Sequence, residues 1–478
     1  MNRAIWWLRR DLRLHDNPAL RAAIEGADEV IPVFIWSPDE EGDWSPGGAQ
    51  RWWLHQSLEK IGSALSERGS GLVLRRGESL AELKGLARET GAGAVYWNRL
   101  YEPRAVERDT AIKQALREQS LEVESFNGGL LFEPWSQSTQ KGDPYRVFTP
   151  FWKSCLNGPG PAAPLPAPET VPAAASLPES LDLDDLDLMP GVNWYEGLAG
   201  AWTPGETAAL ACLESFLDER MDRYHERRDY PAVEGTSGLS PYLHLGELSP
   251  RTAWQAASAR RACSGAEAGG EAFLRELGWR EFAHHVLYHF PRTPAEPMDE
   301  RFRAFPWRDD PGGWLEAWQR GRTGVPIVDA GMRQLWQTGW MHNRVRMIVA
   351  SYLVKNLRLD WRHGARWFWD TLVDADLASN TMGWQWSAGS GADAAPYFRI
   401  FNPVLQGEKF DPDGGYVRTF VPEIRRLPPR FVHKPWAMPD KEKAKLGFES
   451  GDAYPEPLVD LKTSREEALE AFKGLPKR

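Results

Sequence analysis

Five short apolar runs, at 4–8, 30–35, 72–74, 94–97 and 121–126, alternate with longer stretches whose apolar residues recur at helical spacing, among them 49–67 and 103–118. Strands covered on both faces read as near-continuous apolar runs, and parallel strands need connections long enough to hold a helix. Residues 1–130 are therefore expected to form an α/β domain, a doubly wound, Rossmann-like parallel sheet with helices on both faces. Asn17 and Pro18 supply an N-cap and a first-turn proline for the first helix. No G-x-G-x-x-G comes after the first strand and no Walker sequence occurs, so the usual dinucleotide and triphosphate cradles are not supported. Leu8 is succeeded instead by the charged run Arg9-Arg10-Asp11-Leu12-Arg13.

From 157 to 204 the text turns proline-rich, then acidic around 181–188, without periodicity. That composition reads as a surface linker, assigned here to 131–206. Beyond it, 208–220, 271–288, 328–338, 344–357 and 365–372 carry apolar residues at helical spacing, so 207–478 should be an all-α domain. A chain of 478 residues is long for one core, and two domains are the natural expectation. No apolar stretch reaches membrane-spanning length and no secretory signal is visible, which points to a soluble cytoplasmic protein. Cys155, Cys212 and Cys263 are too scattered for a disulfide framework or a zinc site. The net charge of −10 argues only weakly against nucleic acid, because arginines concentrate between Arg275 and Arg426.

The densest chemistry lies in Trp340-Met-His-Asn-Arg-Val-Arg-Met347 and in Asp374-Ala-Asp-Leu-Ala-Ser-Asn-Thr-Met-Gly-Trp-Gln-Trp386. The second segment mixes acids, an amide and indoles in a way neither a core helix nor a solvated face normally does. It suits an aromatic redox cofactor better than acid–base chemistry. Asn343 and Met347 stand one helical turn apart with Arg344 alongside; an amide can bond a base edge, a thioether can lie on an aromatic face, and a guanidinium can hold a phosphate. Asn380 lies one turn after Asp376, while Trp384 and Trp386 would point to nearly opposite sides of a helix. Glu276, Trp279 and Arg280 share a helix face, although each alone is ordinary structure. Glu234-Gly-Thr-Ser-Gly-Leu-Ser240 is a loop able to hold phosphate through hydroxyls and backbone N–H groups. Glu281, His285 and His289 recur every fourth residue, but no second cluster completes a metal site, and they read as core-flanking.

Taken together, WWLRRDLRLHDNP at 6–18, EGTSGLS at 234–240, ELGWREF at 276–282, GVPIVDAGMR at 324–333, WMHNR at 340–344 and WQW at 384–386 resemble the photolyase/cryptochrome family in order and spacing, from the first strand to about Trp436. The resemblance implies an antenna-binding α/β domain, a long linker and a helical domain that binds folded-back FAD and DNA. By it, Tyr224, Thr236, Ser237, Leu239 and Ser240 are flavin contacts, the last four around its phosphates. Asp374 and Asp376 lie by the isoalloxazine and ribityl portion, Arg346 pairs with Asp374, and Asn380 faces flavin N5. Glu276, Trp279, Asn343, Arg344, Met347 and Trp386 match the pocket for an extruded pyrimidine dimer, with Arg280 and Arg399 among the DNA contacts. Trp384, Trp361 and Trp307 match the relay that reduces the flavin from the surface. Gly238 stands where a basic residue is often found.

The helix carrying Asn343 and Met347 lacks the two histidines that six-four photoproduct repair uses in this family, so cyclobutane dimer repair is favoured. Asn380 occupies the position where plant cryptochromes place an acid. The segments 34–42 and 45–54 look like the plant-cryptochrome antenna domain, and the description that fits is a class III, plant-cryptochrome-like photolyase. The implied activity is light-driven electron transfer from reduced FAD to a flipped cyclobutane pyrimidine dimer, by a monomer that meets the nucleoid when bound to UV-damaged DNA. Its alternative is a blue-light receptor without repair. Arg104-Ala105 replaces the Asn-Glu pair that contacts folate in some relatives; the implied antenna is methenyltetrahydrofolate in the class III manner, near Trp36, Glu40, Glu41 and Arg51, with 8-hydroxy-5-deazaflavin as the alternative.

Overall fold

The computed structural model describes residues 2–174, 176–263, 265–394, 398–448 and 454–476. All five apolar runs are strands: β1 (Arg3–Leu8), β2 (Glu29–Trp36), β3 (Val73–Arg76), β4 (Ala94–Asn98) and β5 (Glu122–Phe126), parallel throughout in the order β3-β2-β1-β4-β5. The crossovers are α1 (Pro18–Gly26), α2 (Gly48–Ser66), α3 (Ser79–Thr90) and α4 (Pro103–Arg117). Alternate strand residues point to opposite faces, which gives the sheet two cores. Trp6, Leu8, Phe34 and Trp36 pack with Leu58 and Ile61 of α2, while Ile5, Trp7, Val33 and Trp97 pack with Leu83 of α3 and Ile112 of α4.

The chain falls into two compact units, 2–222 with 237–291 and 373–378, and 223–236 with 292–372 and 379–478. In the first, the charged sequence after β1 is an internal knot. Asp11 accepts from the Arg9 amide (2.7 Å) and from Asn98 (2.6 Å), and Arg9 pairs with Asp109 (2.6 Å). Arg10 pairs with Glu102 (2.8 Å), and Arg13 donates to the carbonyls of Gly246 and Gly128. Asn17 caps α1 by accepting from Leu20 N at 3.1 Å, as the Asn-Pro pair predicts. The proline-rich segment is tied down rather than loose: Val171, Leu186 and Leu188 join the sheet core, and Ala173 bridges Val30.

The second unit is helical. The helix expected over 344–357 is regular only over Asn343–Ser351 and continues as a π-helical turn, Tyr352–Asn356. The segment after Asp376 forms the helix Leu377–Ala388, so Asp374 and Asp376 precede that helix and sit in the turn before it. No helix among the described residues is long and apolar enough to cross a membrane.

Candidate active site

His342 starts the helix Asn343–Ser351 by accepting from Arg344 N at 3.2 Å. Burial, helped by Arg344 and Arg346 and opposed by Asp229, pushes its imidazole down to about 4, so it caps as a neutral ring. The helix then presents Asn343, exposed, with Arg344 and Met347, half-buried, on one side. Arg344 is fixed by Asp229 (2.9 Å), by the Phe410 ring (4.5 Å) and by Met347 Sδ (3.9 Å). The structure thus brings together the three residues that the spacing joins. Arg346 turns the other way, donating to the Met341 carbonyl at 2.7 Å.

The helix Leu377–Ala388 carries Asn380, Trp384 and Trp386. Asn380 is 8% exposed and its Nδ2 donates to the Ala365 carbonyl at 3.0 Å. The neighbouring Thr381 Oγ1 and Trp384 Nε1 are buried without hydrogen-bond partners among the described residues. Unpaired buried polar atoms are costly, so two of them beside an amide with an acceptor to spare fit a polar aromatic ligand of the flavin kind lying there. Trp384 lies against Gly364 of the helix Trp361–Thr371, where an added Cβ would come within 2.0 Å of the indole. Trp361, at the start of that helix, is buried, whereas Trp307 is half-buried against Phe305 (4.4 Å). Trp386 faces Phe401 (6.3 Å) with the Arg399 guanidinium 6.0 Å over its ring.

Two residues that no local pattern marks hold this helix. Buried Gln385 accepts from Met298 N (2.9 Å) and donates to the carbonyls of Thr293 (2.6 Å) and Glu296 (2.7 Å). Buried Lys355, on the π-helical turn, donates to the Ala388 carbonyl at 2.7 Å. Their partners are distant in sequence, and the only signal for Gln385 is a polar residue between two indoles.

In the first unit, Glu276, Trp279 and Arg280 sit on the helix Glu267–His289. Glu276 is half-buried, and Trp279 stacks face to face on Phe148, with centroids 3.7 Å apart. Arg280 donates to Glu281 (3.2 Å) and lines an internal cavity of about 40 Å³ with Arg10, Tyr101, His244, His284 and Asp376. Burial raises the Glu281 carboxyl, which also accepts from Leu131 N (2.8 Å) and Phe132 N (3.1 Å). His285 accepts from Tyr145 N (3.0 Å), and both His285 and His289 donate to the Pro134 carbonyl. Burial opposes ionisation of Asp376, yet His284 at 3.4 Å, His244 and Arg280 hold its carboxyl well below the ordinary range. Asp374 is 8% exposed.

The 234–240 loop needs its glycines. Gly235 lies against the Arg227 carbonyl, where a Cβ would meet it at 2.6 Å, and Gly238 adopts φ +71°. Ser237 Oγ accepts from Leu239 N at 3.4 Å, Thr236 and Ser237 are half-buried, and Ser240 is exposed. The Leu239 side chain is in the core, so contact from it to a ligand is through its backbone. Tyr224 is buried under the Arg228 guanidinium (5.4 Å).

Of the residues near which an antenna is expected, Trp36 is buried, and Glu40 accepts from the Ser79 amide (2.8 Å) and hydroxyl (2.6 Å). Arg108 lies within 3.5 Å of Glu41, while Arg51 is exposed. Elsewhere in the same unit a cleft of about 630 Å³ opens beside α4, lined by Trp97, Tyr101, Trp135 and Tyr288 with Lys113 and Arg117. Burial and the nearby Arg117 and Arg99 lower Lys113. An aromatic cleft with crowded cations suits a planar ligand carrying negative charge.

Residues 4–169 match the DNA photolyase family model, and residues 273–474 match the model of the FAD binding domain of DNA photolyase. The chain is 50% identical to a deoxyribodipyrimidine photo-lyase of Agrobacterium fabrum over 99% of its own length and 98% of that protein. It is 42% identical to cryptochrome-2 of Arabidopsis thaliana over 97% of its length and 78% of that protein. The crystal structure of a bacterial class III photolyase from Agrobacterium tumefaciens superimposes with a TM-score of 0.95 at 49% identity, covering 99% of this chain and 97% of that one. Both the fold and these similarities answer to the motifs read from the sequence: the chain belongs to the photolyase/cryptochrome family.

Proposed function

We propose that this protein is a deoxyribodipyrimidine photolyase that uses light to repair cyclobutane pyrimidine dimers in DNA. One observation carries the reading: a single helix, Leu377–Ala388, bears a half-satisfied Asn380 and a buried Trp384 as well as Trp386 beneath Arg399. That helix joins a redox cofactor's surroundings to a surface suited to a base and a phosphate. Bound reduced FAD, when illuminated, supplies the electron that splits the dimer.

The chain's own residues do the rest. With one Nδ2–H given to the Ala365 carbonyl, Asn380 keeps its Oδ1 as an acceptor that would face flavin N5. Tyr224, Thr236, Ser237, Leu239, Ser240, Arg346, Asp374 and Asp376 hold the remainder of the cofactor. Asn343, Met347, Trp279 and Trp386 are the residues assigned to the extruded dimer, whose flipping costs about a few kcal/mol and least where pairing is already poor. Glu276 hydrogen-bonds the dimer, a bond strengthened by exclusion of water. Arg280, Arg344 and Arg399 act on the DNA side, where cations are set against phosphates. Trp384, Trp361 and Trp307 pass from interior to half-buried and carry reducing equivalents inward.

In this reading 1–130 holds the antenna, 131–206 connects, and 207–478 binds FAD and DNA, in a monomer working in the cytoplasm at the nucleoid. The antenna is methenyltetrahydrofolate, or else 8-hydroxy-5-deazaflavin, and the 630 Å³ cleft is the space that best supports it. Blue light on the reduced protein with a dimer-containing oligonucleotide should restore intact pyrimidines, and Glu276→Ala should lower the yield about tenfold with flavin retained. No turnover by the unaltered protein would make it the receptor instead.

A further inference from the structure

Lys355 is 1% exposed, on the π-helical turn Tyr352–Asn356. Its Nζ donates to the Ala388 carbonyl at 2.7 Å and lies 3.0 Å from the centre of the Phe398 ring. An ammonium has three donors, and these neighbours satisfy one of them while supplying no formal negative charge. Burial pushes Lys355 well below the ordinary lysine range, which agrees with its having no carboxylate partner among the described residues. A buried cation of this kind is costly unless something anionic reaches it.

Beside Lys355 lies a cavity of about 20 Å³ whose polar lining is Ser351, Lys355, Ser387 and Arg399, with Trp386 and Phe401 as its aromatic members. No described lining residue is an acid. Ser351 Oγ accepts from Phe401 N at 3.2 Å and keeps its own proton to give, and the Ser387 hydroxyl makes no hydrogen bond among the described residues. The space holds one water or a single oxygen of a larger ligand. A water would meet the donors but bring no negative charge to hold the proton on Lys355. A free tetrahedral anion is too large, whereas an oxygen of a strand that runs outside can enter. Trp386 beside the cavity offers that strand a stacking face, and exposed Arg399 lies 6.0 Å over the same ring.

We propose that this cavity is a phosphate subsite: when dimer-containing DNA binds, one non-bridging oxygen of a phosphodiester next to the flipped lesion enters it and accepts from Lys355, Ser351 and Ser387, with Arg399 on the outer oxygen. The proposal rests on the repair reading and adds to it a buried electrostatic contact to the lesion strand. A lysine that merely caps the helix Leu377–Ala388 would stiffen the fold without distinguishing one phosphate from another.

The test replaces the phosphates around a dimer one at a time with neutral methylphosphonates and measures the dissociation constant for the unaltered protein, for Lys355→Met and for Ser387→Ala. One position should cost the unaltered protein about tenfold and cost either variant little more. Equal losses in variant and unaltered protein at every position, or no sensitive position in the unaltered protein, would overturn the subsite. If Lys355→Met does not fold, Ser387→Ala carries the comparison alone. Failure of the unaltered protein to prefer dimer-containing over intact DNA would instead overturn the repair reading, and the subsite with it.

Discussion

Glu247 is 1% exposed and accepts from Trp53 Nε1 (3.0 Å), Ser57 Oγ (2.6 Å) and Gly205 N (2.6 Å). Burial outweighs those bonds and pushes its carboxyl up from 4.5 to about 7. The folded protein therefore binds more protons than the unfolded chain between those values, so stability is full below 4.5 and declines as pH rises towards and past 7. The contribution lost is about 3 kcal/mol. Glu247→Gln should lower stability at pH 5, where an amide N–H meets donors, yet flatten the decline; denaturant unfolding from pH 4.5 to 8 measures both. Nothing in the sequence marks Glu247, because its partners lie more than forty positions away. Lys355 and Gln385 are likewise held by residues outside their own helical turns, whereas Asn343, Arg344 and Met347 were legible since one helical turn joins them. Asp374 and Asp376 were legible as acids but not as a turn, because a helix beginning at Leu377 has no local signal that separates it from one beginning earlier.

Among the elements, the strands of the sheet were readable to within a residue or two: the inner three because full burial writes itself as near-unbroken apolar text, and β5 at the edge because its buried and exposed residues alternate. The π-helical turn after Ser351 was not, since no proline or glycine interrupts that stretch of sequence to mark it. The packing of Trp361–Thr371 against Leu377–Ala388 depends on Gly364, against which Trp384 lies. Gly364→Ala must displace the indole or spread the helices, at about 1–3 kcal/mol. Its melting temperature should fall, and light-driven flavin reduction should slow in the same variant. Unchanged reduction would separate Trp384 from the relay.

For the molecule as a whole, the net charge of −10 does not say where cations stand: Arg9, Arg10, Arg13 and Arg251 serve carboxylates or carbonyls in the first unit, whereas Arg399 is exposed. Fold class was visible in the text, while the 630 Å³ cleft was not, since it is assembled from separate stretches of chain between Trp97 and Tyr288. If that cleft holds the antenna, Lys113→Glu should give a protein that keeps its flavin band but loses the antenna band. Repair under saturating light should then be preserved and repair under dim violet light should fall; absorption and action spectra together check it. Asn380 and Trp386 stand six residues apart on one unbroken helix, about 9 Å along its axis. On the proposed reading, in which Trp386 meets the nucleobase and Asn380 the flavin, adding dimer-containing DNA in darkness should shift the flavin's absorption, and an unaltered spectrum would uncouple the two ends of the helix.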